Sequence, residues 1–518
     1  MILSVLLSPY ALVAAIILYY LVPYLQRWRL RDIPSAGGGL AAFTNLWLLY
    51  QARKGRRYLA VDEAHKKYGK MVRIQPNHVS VADDAAINAI YGHGNGFLKT
   101  EFYDAFVSIR RGLFNTRDRA EHTRKRKIVS HTFSAKSVGQ FEEYIHANIE
   151  LFVKQWTRLS DGAKATNGYA SIDALNWFNY LAFDVIGDLA FGAPFGMLAS
   201  GRDMAEIRMS GDSKSPPSYV QAVEVLNRRG EVSAALGCLP VLKPFAKYLP
   251  DRFFRDGIQA VEHLAGIAIA RVSERVKPEV MEKNTRVDLL ARLMEGKDAN
   301  GNKMGREELT AEALTQLIAG SDTTSNTACA ALYWVLKTPG VLQKLRMVLD
   351  ESIPADVEVP SFAMVKDIPY VQWTLYEVMR MHNTSSLGLP RQIPPGKPPV
   401  SICGHTFYPG DILSVPTYTI HRSREIWGPD AESFVPERWA PERLTSRQKA
   451  AFIPFSTGPR SCVGRNVAEM ELTVVFGTVF RLFEFASPVA LKMDTREGFL
   501  RKPLGLEVGM KRREKYRR

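Results

Sequence analysis

Apolar residues recur at helical spacing through most of this chain, which indicates a fold built mainly from helices with one or more buried faces. The clearest stretches predict helices over residues 118–130, 139–158, 171–191, 252–278, 310–337, 369–382 and 463–484. Two short segments, 71–76 and 78–83, alternate apolar and polar residues instead and predict a β-hairpin. We therefore expect residues 41–518 to form one mainly α domain with a minor β region.

The first 25 residues break this pattern, because they contain no charged residue and are almost continuously apolar. A stretch of this length can cross the hydrocarbon core of a bilayer. A basic flank, Arg27, Arg29 and Arg31, follows on the C-terminal side only and places the rest of the chain in the cytosol. No basic segment precedes the run and no small-residue cleavage site follows it, which disfavours a cleaved signal peptide. We predict a single N-terminal transmembrane helix over 1–25 and a basic, Gly- and Pro-containing hinge over 26–40.

Composition narrows the class of protein. The chain has 518 residues, of which 46% are hydrophobic and 23% charged, as in an ordinary globular protein. Its four cysteines include no CxxC pair, which excludes a disulfide framework and a zinc ribbon. The net charge of +15 suits nucleic acid, an anionic membrane, an acidic protein partner or an anionic substrate. No nucleic-acid-binding motif accompanies the charge, so we expect no nucleic-acid partner.

One cysteine stands in a distinctive loop, in which residues 455–464 read Phe-Ser-Thr-Gly-Pro-Arg-Ser-Cys-Val-Gly. Glycines let the backbone turn tightly around a sulfur atom and approach a large planar group. The loop resembles the haem-thiolate loop of cytochromes P450 at every fixed position. The resemblance implies a cytochrome P450 fold that holds haem b, with Cys462 as the axial ligand of the iron and Phe455, Arg460 and Gly464 in the cofactor-binding loop. A thiolate ligand favours cleavage of the O–O bond.

A second segment of the same kind lies in the middle of the predicted helix 310–337. It contains Ala319-Gly320-Ser321-Asp322-Thr323-Thr324. This run is similar to the oxygen-activation segment of P450s. By that resemblance Asp322 and Thr323 are the catalytic residues that pass protons toward dioxygen, and Gly320 leaves room for it. Taken alone, the run could equally be a polar helix face with a loosened turn.

Two further motifs resemble structural segments of the family. Glu377 and Arg380 are three residues apart on one face of the predicted helix 369–382. Arg438 follows in a Pro-Glu-Arg-Trp run upstream of the cysteine loop. The resemblance implies that these three side chains form a buried network that fixes the scaffold of the loop and takes no part in catalysis.

Three more basic residues resemble haem-propionate contacts of the family. His122 and Arg126 have the spacing that the family often fills with Trp and Arg, so His replaces Trp in this chain. Arg391, in a Leu-Pro-Arg run, stands where the family often has another propionate partner. For each residue, a solvated basic face is the alternative interpretation.

Over essentially its full length the chain also resembles one fungal P450 group, the benzoate para-hydroxylases, also called benzoate 4-monooxygenases. The likeness is carried by residues 113–134, 173–196, 317–327 and 452–472. It implies hydroxylation of benzoate to 4-hydroxybenzoate with O2. The electrons would come from NADPH through a separate NADPH–cytochrome P450 reductase, on the cytosolic side of the endoplasmic reticulum membrane.

A benzoate pocket needs an apolar slot and a donor for the carboxylate at the end away from iron. By position, Leu113, Phe114, Leu314, Ile318 and Ala319 could line the slot. The candidate partners of the carboxylate are the cations Arg110 and Arg111 and the neutral donors Tyr103, Ser385 and Ser386. An unpaired buried Arg is costly, so hydroxyl donors stay open alongside the arginines.

Other functions remain open from the residues alone. A P450 of similar architecture could act on another small aromatic or apolar substrate, such as a fatty acid, a terpenoid or a phenylpropanoid. A non-catalytic haem protein that senses or carries a ligand is an alternative of another class. The Asp322–Thr323 pair argues against the sensor, because a sensor has no need to deliver protons to oxygen.

Overall fold

Helices dominate the part of the chain that the computed structural model describes, namely residues 9–163, 168–208, 218–283, 286–298, 300–487 and 491–517. The helices are α1 Pro9–Gln26, α2 Leu46–Arg53, α3 Arg57–Tyr68, α4 Ala85–Tyr91, α5 Arg119–Thr132, α6 Ala135–Gly139, α7 Glu142–Gly162, α8 Ala174–Phe191, α9 Met197–Ser200, α10 Ala222–Cys238, α11 Arg252–Arg275, α12 Pro278–Lys283, α13 Leu289–Glu295, α14 Arg306–Lys337, α15 Val341–Ser352, α16 Phe362–Val365, α17 Pro369–Met381, α18 Thr417–Ile420, α19 Arg424–Trp427, α20 Ser446–Ala451 and α21 Arg465–Leu482. Short 3-10 turns include Gly37–Ala42, Glu101–Phe106, Pro240–Tyr248 and Gly458–Arg460.

The strands are short and form small sheets at the edges of the helical body. They are β1 Met71–Gln75, β2 His78–Val81, β3 Leu98–Lys99, β4 Ala170–Asp173, β5 Ala205–Ile207, β6 Ser218–Val220, β7 Arg391–Gln392, β8 Val400–Ile402, β9 His405–Phe407, β10 Ile412–Ser414, β11 Phe483–Ala486, β12 Thr495–Glu497, β13 Arg501–Pro503 and β14 Glu507–Arg512. The largest sheet has the order β1-β2-β10-β7-β3, and a three-stranded sheet has the order β11-β14-β4. In the latter, Glu507 of β14 pairs antiparallel with Asp173 of β4, far upstream in the chain.

The 32-residue helix α14 runs through the middle of the core and packs against α8 along much of its length. Most of α8 is buried, which explains its nearly continuous apolar sequence. The side chain of Asp173 caps α8 by accepting a hydrogen bond from the Leu175 N–H at 3.0 Å. Asp118 caps α5 in the same way, through the Glu121 N–H at 2.7 Å. These two caps fix where the helices around the central cavity begin.

All seven predicted helices are present, with ends shifted by a few residues. At two helix ends, the structure has a β-strand where the sequence pattern predicts helix. Residues 171–173 belong to β4, and residues 483–484 begin β11, because cross-strand pairing with β14 overrides the helical pattern there. The hairpin is confirmed over Met71–Gln75 and His78–Val81, with an irregular register between Arg73 and Gln75. Helix α10, which the sequence pattern did not predict, proves important for the site.

The N-terminal segment is only partly described. Helix α1 covers Pro9–Gln26, and residues 1–8 of the predicted anchor lie outside the described residues. Within the described ranges, no helix combines the length and the apolar character needed to cross a membrane. The predicted hinge, residues 26–40, is attached to the first sheet: Arg73 of β1 donates its N–H to the Pro34 carbonyl at 2.8 Å. Arg29 pairs with the buried Asp411 at 2.7 Å.

Candidate active site

A cavity of about 340 Å³ lies between α14, the loop that precedes α5 and the loop that precedes α21. Its wall includes Ala319 and Thr323 from the middle of α14 and Cys462 from the loop before α21. The rest of the wall is mostly apolar and aromatic, which suits a flat cofactor together with a small apolar substrate. The cavity thus brings the two motifs with the strongest family resemblance to one site.

The cysteine loop is held by its own backbone. The Cys462 N–H donates to the Phe455 carbonyl at 2.9 Å, which closes the loop around the sulfur. Gly458 has φ of +70°, and a Cβ at this position would stand 1.9 Å from the Tyr91 carbonyl oxygen. Only glycine suits both the left-handed backbone and this close approach. The loop conformation therefore depends on the residue type at 458.

The electrostatic surroundings of Cys462 act in two directions. Cys462 is accessible from the cavity that it lines, yet it lies deep within the protein, and this burial raises the pKa of the thiol above its ordinary value. A hydrogen bond from the Gly464 backbone N–H and the charge of Arg126 lower the same pKa. Helix α21 begins at Arg465, so the positive end of its dipole lies next to the loop. These influences oppose burial without outweighing it, so the pKa of Cys462 stays above its ordinary value in the protein alone.

Four buried or half-buried cations, Lys99, Arg126, Arg391 and Arg460, lie close enough to interact electrostatically; we call them the cation cluster. Arg126 also interacts with Cys462. Among the described residues, no carboxylate is within ion-pair distance of any of them. Burial, together with the charges of Arg391 and Arg126, lowers the pKa of Arg460 to about 10. Such a cluster is stable only beside a ligand that brings negative charge.

Each member of the cluster is positioned by a specific contact. Arg126 donates to the Ser461 carbonyl, next to Cys462, at 2.7 Å. Arg391 donates to the Tyr103 hydroxyl at 2.8 Å, and Arg460 donates to the Thr116 carbonyl at 2.6 Å. Lys99 donates to the Phe114 carbonyl. These contacts orient the charges but do not neutralise them.

His122 lies beside the cluster on α5. Burial and the nearby positive charges, Arg460 first among them, lower the pKa of the imidazole to about 3. The ring is therefore neutral at physiological pH and carries one N–H. It has no side-chain hydrogen-bond partner within the described parts of the chain, and it does not itself line the cavity.

The polar residues of α14 divide between the cavity and the core behind it. Thr323 faces the cavity, and its hydroxyl donates to the Ala319 carbonyl at 2.6 Å. Asp322 is buried and does not line the cavity. Burial raises the pKa of its carboxyl to about 6, and the charges of Lys502 and Arg229 limit that rise. Asp322 therefore titrates close to physiological pH, as a proton relay requires.

Gly320 lines the cavity and also contacts α8. A Cβ at this position would stand 2.8 Å from the Cδ1 atom of Ile186 on α8. The absence of a side chain lets α8 and α14 pack closely, and the expectation that it also leaves room for dioxygen stays a prediction. The close packing in turn sets the position of Thr323 in the cavity wall.

The comparison with protein families decides the identity of the fold. The family model for cytochrome P450 matches residues 36–510. The chain belongs to the cytochrome P450 family. It is 74% identical over 516 residues to Benzoate 4-monooxygenase bphA of Aspergillus niger, covering 99% of each chain. It is 28% identical over 475 residues to Cytochrome P450 monooxygenase gsfF of Penicillium aethiopicum, covering 90% of each chain.

Family membership brings a haem cofactor, and the cavity residues of this P450 fit one. The thiol of Cys462 faces the cavity, as an axial ligand must. The cation cluster has no acidic partner in the described chain, and haem b carries two propionate groups that would neutralise it. His122, beside the cluster, is a neutral residue with an N–H to donate. Lys99, Arg126 and Arg391 lie outside the motif over 455–464 and so add to the evidence from the sequence.

The predicted structural network is present and buried. Arg380 binds Glu377 through two hydrogen bonds of 2.8 and 2.7 Å. Arg438 contacts the same carboxylate at 3.4 Å and pairs with Asp430 at 2.9 Å. The Trp439 indole N–H donates to Glu377 at 2.9 Å. The structure therefore brings Glu377, Arg380 and Arg438 together, at a distance from the cavity wall.

Most of the predicted substrate contacts line the cavity of this P450. They are Arg110, Leu113, Phe114, Leu314, Ile318, Ala319 and Ser385. Arg110 lines the cavity but is exposed to solvent. Phe114 contacts Phe499 with ring centroids 5.1 Å apart, so an aromatic wall forms opposite α14.

Two of the predicted carboxylate partners, Ser386 and Arg111, are engaged elsewhere. Tyr103 lines the cavity; its hydroxyl oxygen accepts from Arg391, which leaves its own O–H proton to donate to a ligand. Ser386 is buried outside this cavity, and its hydroxyl donates to the Asn383 carbonyl. Arg111 forms an ion pair with Asp104 and does not line the cavity. The sequence could not reveal the contacts of Ser386 with Asn383 and of Arg111 with Asp104, because each depends on how the chain turns between the two residues.

Two cations of the cavity wall were not predicted. Lys99 follows an apolar pair at the start of a short strand, and Arg229 stands in an Asn-Arg-Arg-Gly run that reads as a solvated surface. Neither has a local motif that distinguishes it from an exposed basic residue. Only the packing of β3 and α10 against the cavity reveals them.

Proposed function

We propose that this P450 hydroxylates benzoate at the para position to give 4-hydroxybenzoate. The observation that carries the proposal is the 74% identity, over 99% of both chains, to a curated benzoate 4-monooxygenase. The cavity agrees with a flat apolar substrate, because the rings of Phe106, Phe114 and Phe499 form one side of it. Other P450 relatives are below 30% identity, too distant to suggest a different substrate.

Each group of site residues has its own role in the proposed reaction. When bound, the haem supplies the activation of dioxygen, and a thiolate ligand favours O–O cleavage. Cys462 is that ligand in our proposal, and the cation cluster with His122 holds the propionates. Thr323 presents its hydroxyl to the cavity, and Asp322 behind it holds the proton that is passed on.

We further propose that the electrons come from NADPH through a separate NADPH–cytochrome P450 reductase, and that the protein resides in the endoplasmic reticulum membrane. The uncharged run over 1–25 and the basic flank of Arg27, Arg29 and Arg31 support a single-pass anchor with the catalytic domain in the cytosol. The net charge of +15 suits both an acidic reductase surface and an anionic leaflet.

Turnover of the haem-loaded protein with a P450 reductase, NADPH and benzoate tests the activity. We expect 4-hydroxybenzoate as the main product and a low-spin to high-spin shift on adding benzoate. A long-chain fatty acid is the negative control, and we expect it to give no spin shift. A spin shift with the fatty acid but none with benzoate would favour another P450 substrate. Benzoate binding without NADPH consumption would favour a sensor or carrier.

The membrane proposal has its own test. Microsomes that contain the full chain are extracted with alkaline carbonate, alongside a variant that lacks residues 1–25. We expect the full chain to stay in the membrane fraction and to be cleaved by protease added to intact microsomes. Extraction of the full chain, or its protection from protease, would contradict the proposed attachment and orientation.

A further inference from the structure

Arg229 of α10 is a buried cation in the wall of the cavity, separate from the cation cluster. Arg229 is only 5% exposed to solvent. One Nη donates to the Phe106 carbonyl at 2.8 Å, whereas Nε is buried without any partner. In the described chain, no carboxylate lies within ion-pair distance of it. The guanidinium therefore reaches the cavity with hydrogen-bonding capacity and charge left over.

Such an arrangement is unfavourable in a protein that binds nothing there. Burial lowers the pKa of Arg229 to about 10, and only the charge of Asp322 opposes this change. Asp322 is not close enough to form an ion pair. A buried charge without a partner destabilises the fold unless a ligand of opposite charge completes it. The cavity that Arg229 lines is the place where such a ligand would bind.

The surroundings of Arg229 define the shape of that ligand. Its Cζ lies 5.3 Å from the centroid of the Phe106 ring. Phe106 contacts Phe499 at 5.0 Å and Phe114 at 5.9 Å between ring centroids. These rings offer edges and faces to a flat aromatic group, and the guanidinium offers paired donors to a carboxylate. A flat ring that carries a carboxylate matches both features.

We infer that Arg229 binds the carboxylate of the aromatic acid substrate and thereby orients the ring toward the haem. The inference rests on the proposed function and identifies the residue that selects for an acid. Arg229 interacts electrostatically with Asp322, which precedes Thr323 of the predicted catalytic segment. Among the cations of the cavity wall, Arg110 is the rival, but it is exposed to solvent.

Paired titrations test the inference. The spin-state shift of the haem-loaded protein gives the Kd of benzoate and of its neutral ester, methyl benzoate. In Arg229→Gln we expect the Kd of benzoate to rise by about 30-fold or more, as for loss of one partner of a buried charge pair. The Kd of methyl benzoate should change by less than about threefold.

Arg228→Gln is the matched control. Arg228 is the neighbour of Arg229 on α10, but it pairs with Glu231 and does not line the cavity. We expect both of its Kd values to stay close to those of the wild type. Arg110→Gln tests the rival. Loss of the preference for benzoate in Arg110→Gln, with the preference retained in Arg229→Gln, would overturn the inference.

Arg229→Lys covers the case in which the Gln variant does not fold, as judged by the thiolate band of the reduced, CO-bound protein. Lys keeps the charge but lacks the paired donors, so the preference for benzoate over methyl benzoate should fall by about threefold to tenfold. An unchanged preference would reject the role of Arg229. If the wild type itself neither binds nor hydroxylates benzoate, the proposed function fails instead, so the two failures are distinguishable.

Discussion

Replacing Glu377 by Gln should destabilise the fold strongly, although the side chain keeps its size. Glu377 and Arg380 are both fully buried. One carboxylate oxygen accepts from Arg380 and from the Trp439 indole, and the other accepts from Arg380, Arg438 and the Val435 N–H. A Gln amide has one oxygen, so at least two of these donors lose their acceptor. Arg380 also loses its countercharge.

The size of the effect follows from these contacts. Removing one partner of a buried ion pair costs about 3–5 kcal/mol, because the other charge stays buried and unpaired. The effect should extend to the cysteine loop. Arg380 donates to the His421 carbonyl at 2.7 Å, and His421 accepts from the Ile453 N–H at 3.1 Å, just before the loop starts at Phe455.

Urea titration monitored by far-UV circular dichroism and by the thiolate band of the reduced, CO-bound protein measures both effects. We expect the midpoint for Glu377→Gln to fall by about 1 M or more, with the thiolate band lost first. Glu437→Gln is the control, because Glu437 forms a half-exposed pair with Lys344 at 2.8 Å, worth at most about 1 kcal/mol. If the two variants have equal midpoints, the network does not support the loop.

Three further groups of variants test the site. Cys462→Ala should abolish the thiolate band while the helical signature of circular dichroism remains. Gly458→Ala should lower the yield of haem-loaded protein, because its Cβ would clash with a carbonyl oxygen 1.9 Å away; Gly404→Ala, at φ of +80° with nothing within 4 Å, has the same backbone cost of about 1 kcal/mol and should load haem normally. The pKa of Asp322 is about 6, so protonation of the carboxyl should lower turnover as the pH falls through 6, and Asp322→Asn should remove this inflection. Lys502→Met removes a charge that lowers this pKa, so the inflection should move to higher pH; movement to lower pH would contradict the assignment.

The sequence predicted the helices with strong periodicity and the residues that belong to motifs. Asp322, Thr323 and Cys462 could be proposed from the sequence because the chemistry expected of them requires particular residue types at fixed spacing, and the structure places Thr323 and Cys462 in one cavity wall. The start of α8 and the end of α21 could not be predicted from the sequence. Pairing with β14 turns the helix-like sequence before α8 into β4 and the sequence after α21 into β11. Such pairing is tertiary and leaves no local signal.

The residue that holds the substrate carboxylate stays a prediction. Arg110, Tyr103 and Ser385 line the cavity, whereas the Ser386 hydroxyl donates to the Asn383 carbonyl and Arg111 pairs with Asp104. Arg229, which we propose for this role, stands in a charged run on an unpredicted helix. Such a run looks solvated in the sequence, and only its burial against Phe106 distinguishes it.

The pairing of β14 with β4 also has a consequence for biosynthesis. Residues Glu507–Arg512 complete the sheet that begins at Ala170, directly before α8. This sheet cannot be completed until residue 512 has left the ribosome, so the nascent chain carries β4 with an unpaired edge while the residues between β4 and β14 are made. Contacts so distant in sequence form slowly. The unpaired edge of β4 is therefore a place where a chaperone that covers strand edges can act before β14 docks.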